Sequence, residues 1–200
     1  MSMERQVDFY FDVVSPYSYL AFGRVERICR EAGAELVLRP MLLGAVHNAV
    51  GITAPIEVRS KASYQLRDIQ RWAEYYGLPM RFPEPFPFRT LKTMRAAMAG
   101  EDLEPFVREA FALYWEEGGA PKGLEEADED EPVREVARRI GRDPEEVLEK
   151  AASGEAKEAL KGATAEALER GVFGAPAFFV GDEMFWGNDR LHFVEAALNG

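Results

Sequence analysis

The chain has 200 residues, and 47% apolar and 30% charged residues give it the composition of a single water-soluble globular unit. Its 35 acidic against 24 basic residues leave a net charge of −11. That charge excludes a partner held by its phosphates, such as nucleic acid, and an anionic membrane surface. A single cysteine, Cys29, excludes a disulfide framework, a Cys-x-x-Cys pair and a thiolate zinc site within one chain. The N-terminus carries no signal-like apolar run, so a cytoplasmic location is expected.

Gln6 to Val13 alternates, with Val7, Phe9, Phe11 and Val13 facing one way and Asp8, Tyr10 and Asp12 the other, and so predicts a half-buried strand. Ser15-Pro16 then reads as an N-cap followed by a first-turn proline. The helix it opens carries Ala21, Val25, Ile28, Cys29 and Ala32 on one stripe and stops at Gly33. Glu35 to Arg39 predicts a second strand, and the helix between them makes the pair parallel.

From about 57 to 171 the periodicity is helical. Val58, Ala62, Leu66, Ile69, Ala73 and Tyr76 form a stripe that closes at Gly77. Phe82 to Phe88 is a proline-rich loop, and helices are expected over Thr90 to Ala99 and Asp102 to Glu117. Gly118 to Pro132 reads as an acidic, solvated loop with a short helical piece. Asp143-Pro144 repeats the cap signature, and Glu155 to Arg170 is a helix closing at Gly171. Ala177 to Val180, the Gly181-Asp182 turn and Glu183 to Trp186 predict a β-hairpin, after which Asn188 or Asp189 caps a last helix.

The order β-α-β, a helical block, then β-β-α places two segments where a thioredoxin fold has its chemistry. Ser15-Pro-Tyr-Ser18 stands where such folds carry Cys-x-x-Cys, and Gly174-Ala175-Pro176 stands at the proline loop. With both sulfurs missing, the protein itself cannot run dithiol–disulfide exchange. No Gly-x-Ser-x-Gly elbow or His–acid pair marks Ser15 as a nucleophile.

Four motifs make the chain similar to a known family. They are Asp12-x-x-Ser-Pro-Tyr-Ser-Tyr-Leu20, Lys61 through Asp68-Ile-Gln-Arg-Trp72, Gly77-Leu-Pro with Phe82-Pro, and Gly171 through Arg190. The chain resembles the 2-hydroxychromene-2-carboxylate isomerases, relatives of kappa-class glutathione transferases and, more distantly, of DsbA-type oxidoreductases. The resemblance implies an α/β fold in which a thioredoxin-like domain (1–52 and 163–200) carries an inserted all-helical domain (53–162), in a homodimer. It implies glutathione, or another small thiol, as cofactor and a small aromatic or conjugated carbonyl substrate from aromatic catabolism. Ser15 would face the sulfur as the catalytic residue. Ala175, before a cis Pro176, would pair its backbone with the cysteinyl part, and Trp186, Gly187, Asn188 and Asp189 would surround the γ-glutamyl end. Lys61 and Asp68 would approach the same region, although Lys61 can equally pair with Glu57 at i, i+4.

Substrate contacts would come from a loop at 46–53, with His47, Asn48 and Thr53, and from Phe86. That loop departs from the family: its lysine becomes Asn48 and its asparagine Ile52. The thiol half of the site therefore looks kept and the carboxylate half altered. The same residues leave open a kappa-type glutathione transferase, and a thioredoxin-fold module that binds peptide without redox chemistry.

Overall fold

The computed structural model describes residues 5–53, 58–84, 86–100, 103–119 and 129–200. Strand β1 (Gln6–Phe11), helix α1 (Pro16–Ala32) and strand β2 (Glu35–Pro40) form the expected opening unit. β1 and β2 are parallel, with Phe9 opposite Leu38. The closing hairpin is β3 (Ala177–Val180) and β4 (Glu183–Trp186), and β3 runs antiparallel to β1, placing Phe178 opposite Phe9. The sheet order is therefore β2-β1-β3-β4. The two chain ends meet at its centre.

Local chemistry sets the boundaries of α1. Ser15 has extended backbone angles, its Oγ accepts from the Ser18 N–H, and Pro16 occupies the first turn. Gly33 ends the helix at φ 63°, a left-handed conformation that a glycine adopts without strain.

Both faces of β1 are covered, where the alternation predicted one wet face. Val7, Phe9 and Phe11 face the larger core, in which Phe9 stacks on Phe178 at 5.1 Å and Phe11 meets Phe111 at 5.8 Å. Tyr10 enters a second apolar cluster with Met41, Val46, Ala167, Val172, Ala177 and Phe179. Asp8 on this face is held by Arg39 at 2.9 Å and Arg170 at 2.7 Å, which satisfies a carboxylate that is nearly buried. Burial alone would raise the Asp8 pKa, but its hydrogen bonds to Arg170, Arg39 and Gln6 outweigh that and hold it below the usual carboxylate value.

Between β2 and β3 the chain forms α2 (Leu43–Val50), α3 (Arg59–Tyr76), α4 (Leu91–Ala99), α5 (Leu103–Phe111), α6 (Asp130–Arg139), α7 (Pro144–Ala152) and α8 (Gly154–Glu169). Three of these revise the sequence reading. The segment read as a loop at 46–53 is mostly α2, which ends at Gly51 with φ 71°. The helix expected over Asp102 to Glu117 changes at Ala112–Glu116 into a π turn. That wider turn buries three consecutive residues, Leu113, Tyr114 and Trp115, because Tyr114 reaches Thr93 and the Trp115 indole N–H donates to the Val13 carbonyl at 2.8 Å. The loop expected up to Pro132 gives way at Asp130 to α6, with Pro132, Val133, Val136 and Ala137 buried. Asp143 caps α7 as its motif predicts, accepting from the N–H groups of Glu145 and Glu146.

Neither Asn188 nor Asp189 caps the last helix. A 3₁₀ turn at Asn188–Arg190 leads into α9 (Leu191–Asn199), whose own start carries no side-chain cap. The Asn188 side-chain amide instead donates to the Tyr76 hydroxyl at 3.3 Å, and Asp189 pairs with Arg190. Cys29 is buried, 2% exposed. No described helix is long and apolar enough to cross a membrane.

Candidate active site

The N-terminus of α1 and the loop before β3 form one wall of a cleft of about 1380 Å³. α2, α3 and the segment from Phe86 to Leu91 complete its lining. The volume exceeds the ~300–1,000 Å³ typical of a site for one small ligand.

Ser15 is 4% exposed and lines this cleft. Its Oγ accepts from the Ser18 N–H at 3.2 Å and donates to the Ala175 carbonyl at 3.2 Å. The Ala175-Pro176 peptide is cis, as expected. The Pro176 carbonyl accepts from the Gly187 N–H at 2.9 Å, which fixes the loop before β3 to the end of β4. Gly187 sits at φ 100°, and a Cβ there would lie 2.5 Å from Asp189 Oδ1. Trp186, 43% exposed, packs on Phe173 at 5.1 Å. Its indole Nε1 lies where a Cβ on Gly174 would approach to 2.7 Å.

The cleft brings together Ser15, His47, Asn48, Asp68, Phe86, Ala175, Pro176, Trp186, Gly187, Asn188 and Asp189. Lys61 and Thr53 are exposed and are not among its lining residues. Glu57, the alternative partner of Lys61, lies outside the described residues. Asp68 is spanned by α1: the Tyr17 hydroxyl donates to it at 2.9 Å. Burial, then the Asp68 carboxylate, push the Tyr17 phenol well above its ordinary pKa. Phe86 sits among Phe82, Phe88 and Trp115, so this part of the lining is an aromatic wall that joins the core directly.

Four residues of the cleft drew no functional reading from the sequence. Tyr17 lies inside a quoted motif, but its partner is 51 residues away. Arg89 stands next to the aromatic wall with its side chain 71% exposed and a 3.8 Å ion pair to Glu129. Asp12 is completely buried and meets Thr90, 78 residues distant, at 2.8 Å. Burial pushes the Asp12 pKa up, and the donors Leu43 N–H, Val14 N–H and Thr90 hydroxyl act against it. The Asp-x-x-Ser spacing was the only available signal for Asp12, and no signal in the chain pointed to Arg89 or Thr90.

Residues 6–199 match the family model described as a DSBA-like thioredoxin domain. The chain is 35% identical over 199 residues to a 2-hydroxychromene-2-carboxylate isomerase of Sphingobium xenophagum, covering 98% of this chain and 99% of the relative. The chain belongs to the 2-hydroxychromene-2-carboxylate isomerase family, within the DsbA-like thioredoxin fold. A solved 2-hydroxychromene-2-carboxylate isomerase superposes with a TM-score of 0.84 at 34% identity, over 97% of this chain and 94% of that one. A kappa 1 glutathione S-transferase of Caenorhabditis elegans is 28% identical over 210 residues, 96% of this chain and 90% of the relative. In this isomerase-family chain, the position that oxidoreductases of the fold give to a cysteine is a serine. Ser15, at the start of α1, brings no sulfur of its own to the cleft.

Proposed function

We propose that the protein is a glutathione-dependent isomerase of small conjugated aromatic carboxylates of the 2-hydroxychromene-2-carboxylate type. The observation that carries this reading is Ser15: a buried hydroxyl at the start of a 17-residue helix, paired to the residue before the cis-proline, on the wall of a cleft with room for two ligands.

The residues present fit a small thiol. The α1 N-terminus favours an anion, the Ser15 hydroxyl can donate to one, and the Ala175 backbone adjoins it. Trp186, Gly187, Asn188 and Asp189 would hold the γ-glutamyl end, with Asp68 nearby. When bound, glutathione supplies a thiolate able to add reversibly to a C=C conjugated with a carbonyl, which frees that bond to rotate.

Ser15 contributes by turning its O–H away from the Ala175 carbonyl and toward the sulfur. The gain is a difference, because a neutral hydrogen bond of about 0.5–1.5 kcal/mol is given up for a charge-assisted one of about 1.5–3 kcal/mol. The helix terminus adds roughly 0.3–1 kcal/mol. At about 1.36 kcal/mol per pKa unit, the two lower the thiol pKa by roughly one to two units from its ordinary ~8.5, so that thiolate is abundant near neutrality. Phe86 and Phe88 supply an apolar wall that excludes water from a flat substrate. Arg89 offers a cation to its carboxylate, where Asn48 on α2 offers none. His47 on the same helix faces the cleft.

The reading extends to a thioredoxin-like domain drawn from 1–52 and 163–200, which holds the thiol and lends α2 to the substrate side, and an inserted helical domain drawn from 53–162. It also includes a cytoplasmic location and a homodimer, the latter supported by Tyr75 on α3, a large ring left 77% exposed outside the cleft. The kappa-class relatives support a second reading, a transferase that conjugates glutathione at the same Ser15.

An ultraviolet assay of 2-hydroxychromene-2-carboxylate isomerisation, with and without glutathione and with the free thiol titrated at the end, separates the two. Turnover that requires glutathione and returns all of it supports the isomerase. Stoichiometric loss of thiol supports the transferase, and turnover indifferent to thiol removes both.

A further inference from the structure

Three helices that line the cleft begin at one buried carboxylate. Asp12 Oδ1 accepts from the Val14 N–H at 3.1 Å, in the turn that presents Ser15, and from the Thr90 hydroxyl at 2.8 Å. Asp12 Oδ2 accepts from the Leu43 N–H at 2.9 Å. Leu43 is the first residue of α2, and the residue before it gives that helix no side-chain cap. Thr90 is the N-cap residue of α4, yet its hydroxyl makes no bond to its own helix. Asp12 thus serves as the missing cap of α2 and takes the capping group of α4, while its own backbone carbonyl receives the Ser15 N–H at 3.0 Å. All three side-chain contacts are donors, the arrangement that suits a carboxylate and that a carboxylic acid would leave partly unmet.

We infer that Asp12 is a positioning residue: its carboxylate holds the two substrate walls, α2 and the Phe86–Thr90 segment, at a set distance from the thiol end at Ser15. This rests on the functional reading above. The physical reason for a carboxylate here is its acceptor capacity: two oxygens accept from three donors on three chain segments at hydrogen-bond distance. A reaction that brings a sulfur to one carbon of a second molecule depends steeply on that separation.

Asp12→Asn tests the assignment because it is isosteric and asymmetric. The single remaining oxygen can keep the two donors now on Oδ1, and the amide NH₂ then faces the Leu43 N–H, donor against donor. α2 should be released while the Ser15 turn stays held; Leu42 N–H to Thr164 at 3.1 Å keeps α2 attached. Amide exchange at Leu43 should accelerate tenfold or more while Val14 changes less than threefold. The KM for 2-hydroxychromene-2-carboxylate should rise about tenfold while the glutathione Kd, measured by calorimetry, moves less than threefold. Equal exchange changes at Leu43 and Val14, or parallel shifts in KM and Kd, would show an ordinary structural residue and overturn the inference. If Asp12→Asn does not fold, Thr90→Val removes one donor alone and should raise KM several-fold at constant glutathione Kd; an unchanged KM overturns the inference. Absence of glutathione binding in the unaltered protein would defeat the functional reading instead, and the exchange comparison, which needs no ligand, would still decide the role of Asp12.

Discussion

The Ser15 hydroxyl and the Ala175 carbonyl, 160 residues apart in the chain, are hydrogen bonded at 3.2 Å. The bond ties the N-cap residue of α1 to the loop before β3 across the wall of the cleft. On the proposed function the hydroxyl would exchange this bond for one to the sulfur, a rotation about its own C–O bond that leaves the backbone in place. Ser15→Ala should cost about 1 kcal/mol in stability through the lost cap. Glutathione-dependent turnover should fall roughly ten- to a hundredfold, since each tenfold in rate is about 1.36 kcal/mol. Steady-state kinetics beside thermal melting checks this; full activity would remove Ser15 from the chemistry.

Gly174 should be required for the position of Trp186. A Cβ at 174 would sit 2.7 Å from the indole nitrogen, and the half-exposed ring can swing outward to relieve that contact. Gly174→Ala is expected to lower stability by less than the ~1–3 kcal/mol of an overpacked core. It should shift the tryptophan fluorescence and weaken glutathione binding several-fold. Titration calorimetry with emission spectra tests it, and unchanged binding would separate Trp186 from the thiol site.

Arg89→Ala should raise the KM for a carboxylate substrate about tenfold, equivalent to ~1.4 kcal/mol, a magnitude kept modest by the exposure of the side chain. The methyl ester of the same substrate should show no such change. Equal losses for acid and ester would mean that Arg89 does not read the carboxylate.

The acid limb of stability should depend on Asp8. Its folded pKa lies below its unfolded value: burial opposes this, and the hydrogen bonds to Arg170 and Arg39 prevail. The sign follows from linkage: the contribution is complete above the unfolded value near ~3.9 and is lost as pH falls through the lower folded value. Asp8→Asn should therefore destabilise the protein at neutral pH by roughly 1.5–3 kcal/mol. It should also flatten the loss of melting temperature below about pH 4. An acid limb identical to that of the parent protein would contradict the assignment.

Cys29 should be inert in the folded protein. Burial, then Glu26, push its thiol up to about 11. Its alkylation near neutral pH should be slower on the order of a hundredfold than that of an ordinary thiol at ~8.5, and should recover on denaturation. Fast labelling of the native protein would reopen a redox role.

Much of this protein follows from local chemistry and was readable along the chain. Ser15-Pro16 and Gly33 bound α1, Asp143-Pro144 starts α7, and Gly181-Asp182 turns the hairpin, because each is settled by residues within one helical turn or one β-turn. The motif from Gly171 to Arg190 also carries the family resemblance in residue type and spacing alone. The elements that escaped are those decided by distant partners. α2 has no cap of its own and draws one from Asp12; the π turn at Ala112–Glu116 exists because Trp115 reaches Val13; Asn188 gives up a capping role for Tyr76. The same division runs through the site. Residue type and spacing point to Ser15 and Pro176, whereas Tyr17 with Asp68 and Asp12 with Thr90 become visible only when chain segments 51 and 78 residues apart are brought within hydrogen-bond reach, a juxtaposition that core packing makes and that no short-range pattern encodes.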